Sequence, residues 1–238
     1  MPSGSRSRQE RAEAARKAME RARRQERRRR RLFTGTMIGF VAAVVLAVAL
    51  VMVFHQPSKS SAAPPPAIPA TPLATAQGRT DQPPWDAPAD AGAQVRAAGL
   101  PMLGTEGTTE HIHAHLDVIA NGQPVTVPAE VGIDAAGGQI SPLHTHDTTG
   151  VLHIESPVKA DFSLGQFFTE WQVTLTADQI GGLKAGDGKV LQAYVNGKPY
   201  AGDPAGIVLH AHDEVAIVYG TPAQQANPPS SYAFPDGE

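Results

Sequence analysis

The sequence predicts an α+β domain, mainly antiparallel β with one core-packing helix at about 163–171, preceded by one transmembrane helix and a proline-rich linker. Three observations carry this reading: two Asn-Gly pairs flanked by alternating segments, one stretch whose apolar residues recur three and four apart, and 23 consecutive uncharged residues near the amino terminus.

The amino-terminal elements follow from charge. Residues 1–31 hold 13 basic side chains against four glutamates, a net of +9, while the rest of the chain carries −12, so the overall −3 conceals two opposite halves. Residues 32–54 contain no charge, and at about 1.5 Å per residue a helix of that length crosses a hydrocarbon core of about 30 Å. A cleaved signal peptide would have a shorter apolar region followed by a small-residue cleavage site. Arginines directly before the span keep residues 1–31 in the cytoplasm, where they also meet anionic lipid headgroups, and place the rest outside. The expected localisation is the cell membrane, single pass. Nothing in the basic segment supplies base-reading or stacking groups, so nucleic acid is not an expected partner.

Residues 55–104 hold ten of the 21 prolines among Ala, Ser and Thr, which predicts a disordered stalk, and residues 222–238 predict a disordered tail. The expected extracytoplasmic domain is 105–221. With no cysteine in the chain, it is held by its own core or by a metal, and thiolate metal sites and cysteine nucleophiles are excluded.

Within it, Asn121-Gly122 predicts a hairpin over 112–127 with a type I′ turn, pairing Val118 with Val125 and Leu116 with Val127 on one face and Asp117 with Thr126 on the other. Ser163 with Gln166 forms a capping box, Phe162 and Phe167 a hydrophobic staple, and Leu164, Phe167, Phe168 and Trp171 a core-facing stripe. A strand at 190–195, a turn at Asn196-Gly197 and strands near 207–212 and 215–219 complete the domain.

Eight of the nine histidines lie between 111 and 212. Along "HIHAHLDV" the residues Ile112, Ala114, Leu116 and Val118 are apolar, so His111, His113 and His115 project together from the opposite face of a strand. The same split sets His153 and Glu155 against Leu152 and Ile154, His144 beside His146, and His210 and His212 against Leu209 and Ala211. Neutral imidazoles in such numbers suit a divalent transition metal, Zn or Cu, and the absence of a methionine cluster in the outer part argues against Cu(I). The candidate ligands are His113, His115, His144, His146 and His153, then His111 and His212, with His210 weakest. Asp117, Asp147, Glu155 and Asp213 stand beside them as further ligands or as acceptors for imidazole N–H groups.

"HTHDTTGVLHIE" resembles in part the cupin metal motif, but Glu155 stands too far from the His-x-His pair and the second motif's Pro-x-Gly is absent, so no cupin activity carries over. Over about 111–220, the succession "HIHAHLDV", "LHTHDTTGVLHIESP", "SLGQFFTEW", "YVNGKPYAGDP" and "IVLHAHDEVAIVYG" is similar to a group of bacterial, often membrane-anchored proteins common in high-GC Gram-positive organisms. That resemblance implies a coherent extracytoplasmic domain and brings no activity with it.

The expected function is metal capture, buffering or sensing by a membrane-tethered domain. A metal-dependent envelope hydrolase or oxidoreductase and an envelope scaffold that binds another protein through a pH-responsive face are the alternatives. No His-Glu-x-x-His helix, Gly-x-Ser-x-Gly turn or glycine-rich phosphate loop singles out a catalytic residue.

Overall fold

The computed structural model describes residues 67–235 and 237. Among them no helix is long and apolar enough to cross a membrane, and the expected span over 32–54 and the basic segment before it lie outside the described residues.

A seven-stranded mixed sheet carries the fold. Its long central strand, β1 (Glu110–Ala120), is bordered on one edge by β11 (Glu214–Gly220), the only parallel neighbour in this sheet. The other edge is shared: β6 (Val151–Ser156) pairs with Glu110 to His115, and β2 (Gln123–Val125) with Val118 to Ala120. Outward from β11 come β9 (Val190–Val195) and β10 (Lys198–Pro199), and outward from β6 comes β5 (Leu143–His144). Two short hairpins stand apart, β3 (Ile133–Asp134) with β4 (Gln139–Ile140) and β7 (Gln179–Ile180) with β8 (Leu183–Lys184).

Both Asn-Gly turns adopt the left-handed backbone that a type I′ turn needs, with φ of 54° and 77° at Asn121 and Gly122 and 52° and 74° at Asn196 and Gly197. The first sets Val118 opposite Val125, as its centre predicts. The hairpin is shorter than 112–127, for a physical reason. Pro124 offers no N–H, and the amide of Leu116 donates instead to the Gly150 carbonyl at 2.9 Å, because β6 occupies that length of the edge. Val127 is buried in the core all the same.

The expected helix forms with its capping box: the Ser163 side chain accepts from the Gln166 amide, and the Gln166 side chain accepts from the Ser163 amide. This helix (Leu164–Glu170) is buried along its whole length. What encloses it corrects the expected stalk. Residues 67–104 are folded onto the domain: Ala76 and Arg79 bridge to Leu175 and Val173, Trp85 is buried edge-on against Trp171 with ring centroids 5.8 Å apart, and Gly165 runs so close to the Leu73 and Thr75 carbonyls that a Cβ would stand 3.0 and 2.9 Å from them. The same segment holds a second helix, so the described residues contain two α-helices rather than one. We label it α1 (Ala91–Ala97) and the capped helix α2; Asp90 caps α1 by accepting from the Ala93 amide, and Val95 is fully buried. Outside α1 the proline-rich composition gives an irregular strap, from which Trp85 packs into the core without strand or helix around it.

The expected strand over 207–212 is not continuous. It reduces to one bridge, Ser163 to Val208, and the chain then turns at Ala211 and His212, where φ of His212 is 61° and the Asp213 carboxylate accepts from the His210 amide. The strand that follows is β11. The expected disordered tail also meets the domain. Residues 222–225 form a 3-10 turn, Tyr194 donates to Gln225, and Tyr232 and Phe234 reach the histidines.

Candidate metal centre

The apolar residues of β1 face the main core as the alternation predicts, but the opposite face is not a solvent-washed surface. His113, His115, His144, His153 and Glu155 are all buried, while His111 and His146 are exposed at the margin. Strand register explains the assembly. His113 of β1 is directly opposite His153 of β6, which is directly opposite His144 of β5, and two pairs further along, on the same face, His111 is opposite Glu155. Neighbouring strands lie about 4.8 Å apart, so three imidazoles from three strands form a contiguous row. The centroids of His113 and His153 are 4.6 Å apart and those of His153 and His144 5.3 Å, and His146, just past the end of β5, packs edge-on at 4.6 Å from His153.

Donor atoms converge in three groups that could hold a metal ion: His144, His146, His153 and Glu155; His111, His113 and Glu155; and His115, Asp117 and Glu214, with the ligand atoms of each group within 4.8 Å of one another. In the first, the His144 Nδ1–H donates to the Ser141 carbonyl at 2.9 Å, which leaves the lone pair on Nε2. That Nε2 lies 3.1 Å from the Nε2 of His146. Two ligands of a tetrahedral ion with bonds of 2.0–2.1 Å stand about 3.3 Å apart, so the pair is already at the spacing of one coordination edge. His153 Nδ1 and Glu155 Oε2 are buried without a hydrogen-bond partner, and Nδ1 is 3.4 Å from Glu155 Oε1. A buried imidazole nitrogen and a buried carboxylate oxygen side by side, each without a hydrogen-bond partner, make a donor set suited to a cation.

Electrostatics favours the ligating forms. Burial, with the neighbouring His146, lowers His144 to about 3, and burial with His146 and His113 lowers His153 to about 4, so both are neutral near pH 7. Burial and Glu106 push the Glu155 carboxyl up, against the pull of His111 and His146. Behind His144 a buried chain fixes its orientation. The Ser141 hydroxyl donates at 2.6 Å to Glu170, the last residue of α2, whose carboxyl burial raises well above the usual range. This is the carbonyl-to-imidazole support that metal-binding histidines use.

The third group is different in kind. His115 Nδ1 is 2.7 Å from Glu214 and its Nε2 is 2.9 Å from the Thr149 carbonyl. Both ring nitrogens are engaged, Nε2 by the Thr149 carbonyl and Nδ1 by a proton shared with Glu214, whose own carboxyl burial pushes up; holding that proton makes the ring a cation. Burial opposes that charge, but the Glu214 hydrogen bond and charge, the Thr149 carbonyl and Asp117 outweigh it and hold His115 above its ordinary value. Stacked on the ring is Tyr232, at 3.8 Å and nearly parallel. His115, predicted as a ligand, is thus tied to Glu214 in a close buried pair, and with Asp117 and Glu214 it makes up the third group that could hold an ion.

His212 is also brought away from the donor groups: it lies at the turn, its amide donating to the His113 carbonyl and its ring 4.8 Å from Phe234. His210 is exposed beside Asp213. Of the acidic neighbours, Glu155 joins the cluster, Asp147 accepts from the Thr149 amide and hydroxyl in a turn, and Asp213 accepts from Asn196. Sequence reading missed Ser141, Glu170, Glu214 and Glu106, the last 3.5 Å from His146 Nε2. Only Glu214 had a signal, its place two positions after a histidine pair, and that signal does not name His115 as its partner.

Compared with known protein families, curated proteins and solved structures, the chain matches none.

Proposed function

We propose that the protein is a single-pass membrane protein whose extracytoplasmic domain binds a divalent transition metal, Zn or Cu, through His144, His146, His153 and Glu155, for capture, buffering or sensing. The observation that carries this is the convergence of three imidazoles and one carboxylate within 4.8 Å, two of them held neutral by burial. Three nitrogens and one oxygen suit Zn²⁺ or Cu²⁺. Met102, the one methionine after the expected span, packs against the core, away from any thioether cluster that Cu(I) would favour. The exposed His146 gives the ion a route to solvent, as uptake and release require.

Membrane anchoring rests on the uncharged stretch 32–54 behind its arginine cluster. The likeness to membrane-anchored bacterial proteins agrees with it. A metal-dependent enzyme is the second reading, favoured by Glu106, a carboxylate 3.5 Å from the solvent-facing ligand His146 and so placed to handle a proton of bound water.

Elemental analysis of the full chain, purified without a histidine tag, tests the proposal together with thermal unfolding in Zn²⁺. A bound ion and a midpoint that rises with Zn²⁺ concentration are expected, because a ligand bound only by the native state stabilises it. No ion and no rise in excess Zn²⁺ or Cu²⁺ would refute it. Hydrolysis of an ester or phosphoester by the zinc-loaded protein, lost in Glu106→Gln with metal retained, would promote the second reading.

A further inference from the structure

Resting on that reading, we infer that Glu155 is a bridging carboxylate and that the histidine row is built for two divalent transition-metal ions, the second held by His111 and His113. Five imidazoles and Glu155 are more donors than one tetrahedral ion takes, and more than one ion can reach across three strands. They divide into two groups, His144, His146 and His153 on one side and His111 and His113 on the other, and Glu155 is the member common to both.

The shared carboxylate is placed for both. Its Oε1 lies 3.4 Å from His153 Nδ1, 3.6 Å from His111 Nε2 and 3.9 Å from His113 Nε2, so each side already has a nitrogen within a small closing movement of a common ligand. Its Oε2 is buried with no hydrogen-bond partner. Carboxylate-bridged ions stand about 3.5–4 Å apart. The two groups adjoin at the shared carboxylate, where the rings of His113 and His153, one from each group, have centroids 4.6 Å apart.

Charge is the objection such a pair must meet, since two dications repel. Glu155 between the two ions offsets part of it, and Glu106, 3.5 Å from His146, supplies a second carboxylate on the solvent side. Both ends of the row are open, because His111 and His146 are the exposed members, so each ion has its own approach.

Titrating the full chain, purified without a histidine tag, with Cu²⁺ and following the copper by elemental analysis and electron paramagnetic resonance tests the inference. The first equivalent should give a mononuclear spectrum. The second should bring a half-field transition, the mark of two coupled copper ions, and a content of two per chain after exchange into metal-free buffer. His111→Ala, which alters an exposed side chain, should weaken the second ion at least tenfold and leave the first; His111→Ala with His113→Ala should abolish it; and Glu155→Gln should remove the coupling. One ion per chain in the unaltered protein would overturn the two-ion site and leave the metal-binding proposal standing. A second ion that survives both histidine changes, or shows no coupling, would overturn it equally. No copper at all would refute both.

Discussion

Two histidines on one strand, His113 and His115, share a face and are equally buried, at 4% exposure each, yet they do opposite things. His113 lies opposite His153 of β6 and looks along a row of imidazoles. His115 lies opposite Glu214 of the parallel neighbour β11 and is locked into a charged pair. On the β6 side burial and crowding lower His144 and His153, whereas on the β11 side Glu214, the Thr149 carbonyl and Asp117 raise His115 against its burial. What a histidine becomes on a buried sheet face is thus decided by the side chain that a neighbouring strand sets opposite it, His153 for His113 and Glu214 for His115.

The largest way to break the contrast is to remove the acceptor. Glu214→Ala leaves a buried imidazolium without its carboxylate and should cost about 3–5 kcal/mol in urea unfolding at pH 6. The gentler Glu214→Gln keeps the shape; with the opposing charge gone, burial should dominate and NMR titration should find His115 below its ordinary value instead of above it. A His115 that titrates alike in both proteins would show that Glu214 does not hold it.

Acid separates the two sides with opposite sign. His144 and His153 are lowered, so below about pH 6.5 the unfolded chain takes up protons that the native metal-free protein refuses, and stability falls as pH drops. With His144 near 3, the loss at pH 4 should be roughly 3 kcal/mol, and less from the more exposed His153. His115 is raised, so its stabilisation is fully present below its unfolded value and is lost as pH rises through its native one. Metal-free protein carrying His144→Ala should therefore show a flatter decline in acid than the unaltered chain.

Smaller effects sharpen the β11 side. Gly150 has φ of 92°, and a Cβ there would meet the Leu116 carbonyl at 2.6 Å and His115 Nε2 at 3.0 Å. Gly150→Ala should cost about 2 kcal/mol and displace the Thr149 carbonyl from His115. Tyr232→Ala removes the ring stacked on His115 and should cost about 1 kcal/mol in unfolding while leaving metal content unchanged.

Features governed by near neighbours in the chain were legible in the sequence. The Asn121-Gly122 and Asn196-Gly197 turns, the Ser163 capping box, the alternation of β1 and the place of β9 all follow from a few adjacent residues, and the structure has them. His144, His146 and His153 could be nominated because each segregates from its apolar neighbours, and Glu155 because it shares the side of His153. Long-range pairings were not legible. The parallel match of His115 with Glu214 joins residues 99 apart, and no local pattern distinguishes His115 from His113. Trp85 was lost among prolines because the strap around α2 packs as irregular chain, and His212 was misplaced because a left-handed turn stands where alternation implied a strand.

The measurement that bears most directly on the account is the Zn²⁺-dependent rise in unfolding midpoint of three proteins: the unaltered chain, His144→Ala and His115→Ala. The account predicts a rise in the unaltered chain that His115→Ala keeps, from a lower starting midpoint, and that His144→Ala loses; at a free Zn²⁺ of 100 times Kd the rise corresponds to about 2.7 kcal/mol. A rise that persists in His144→Ala and vanishes in His115→Ala would contradict it.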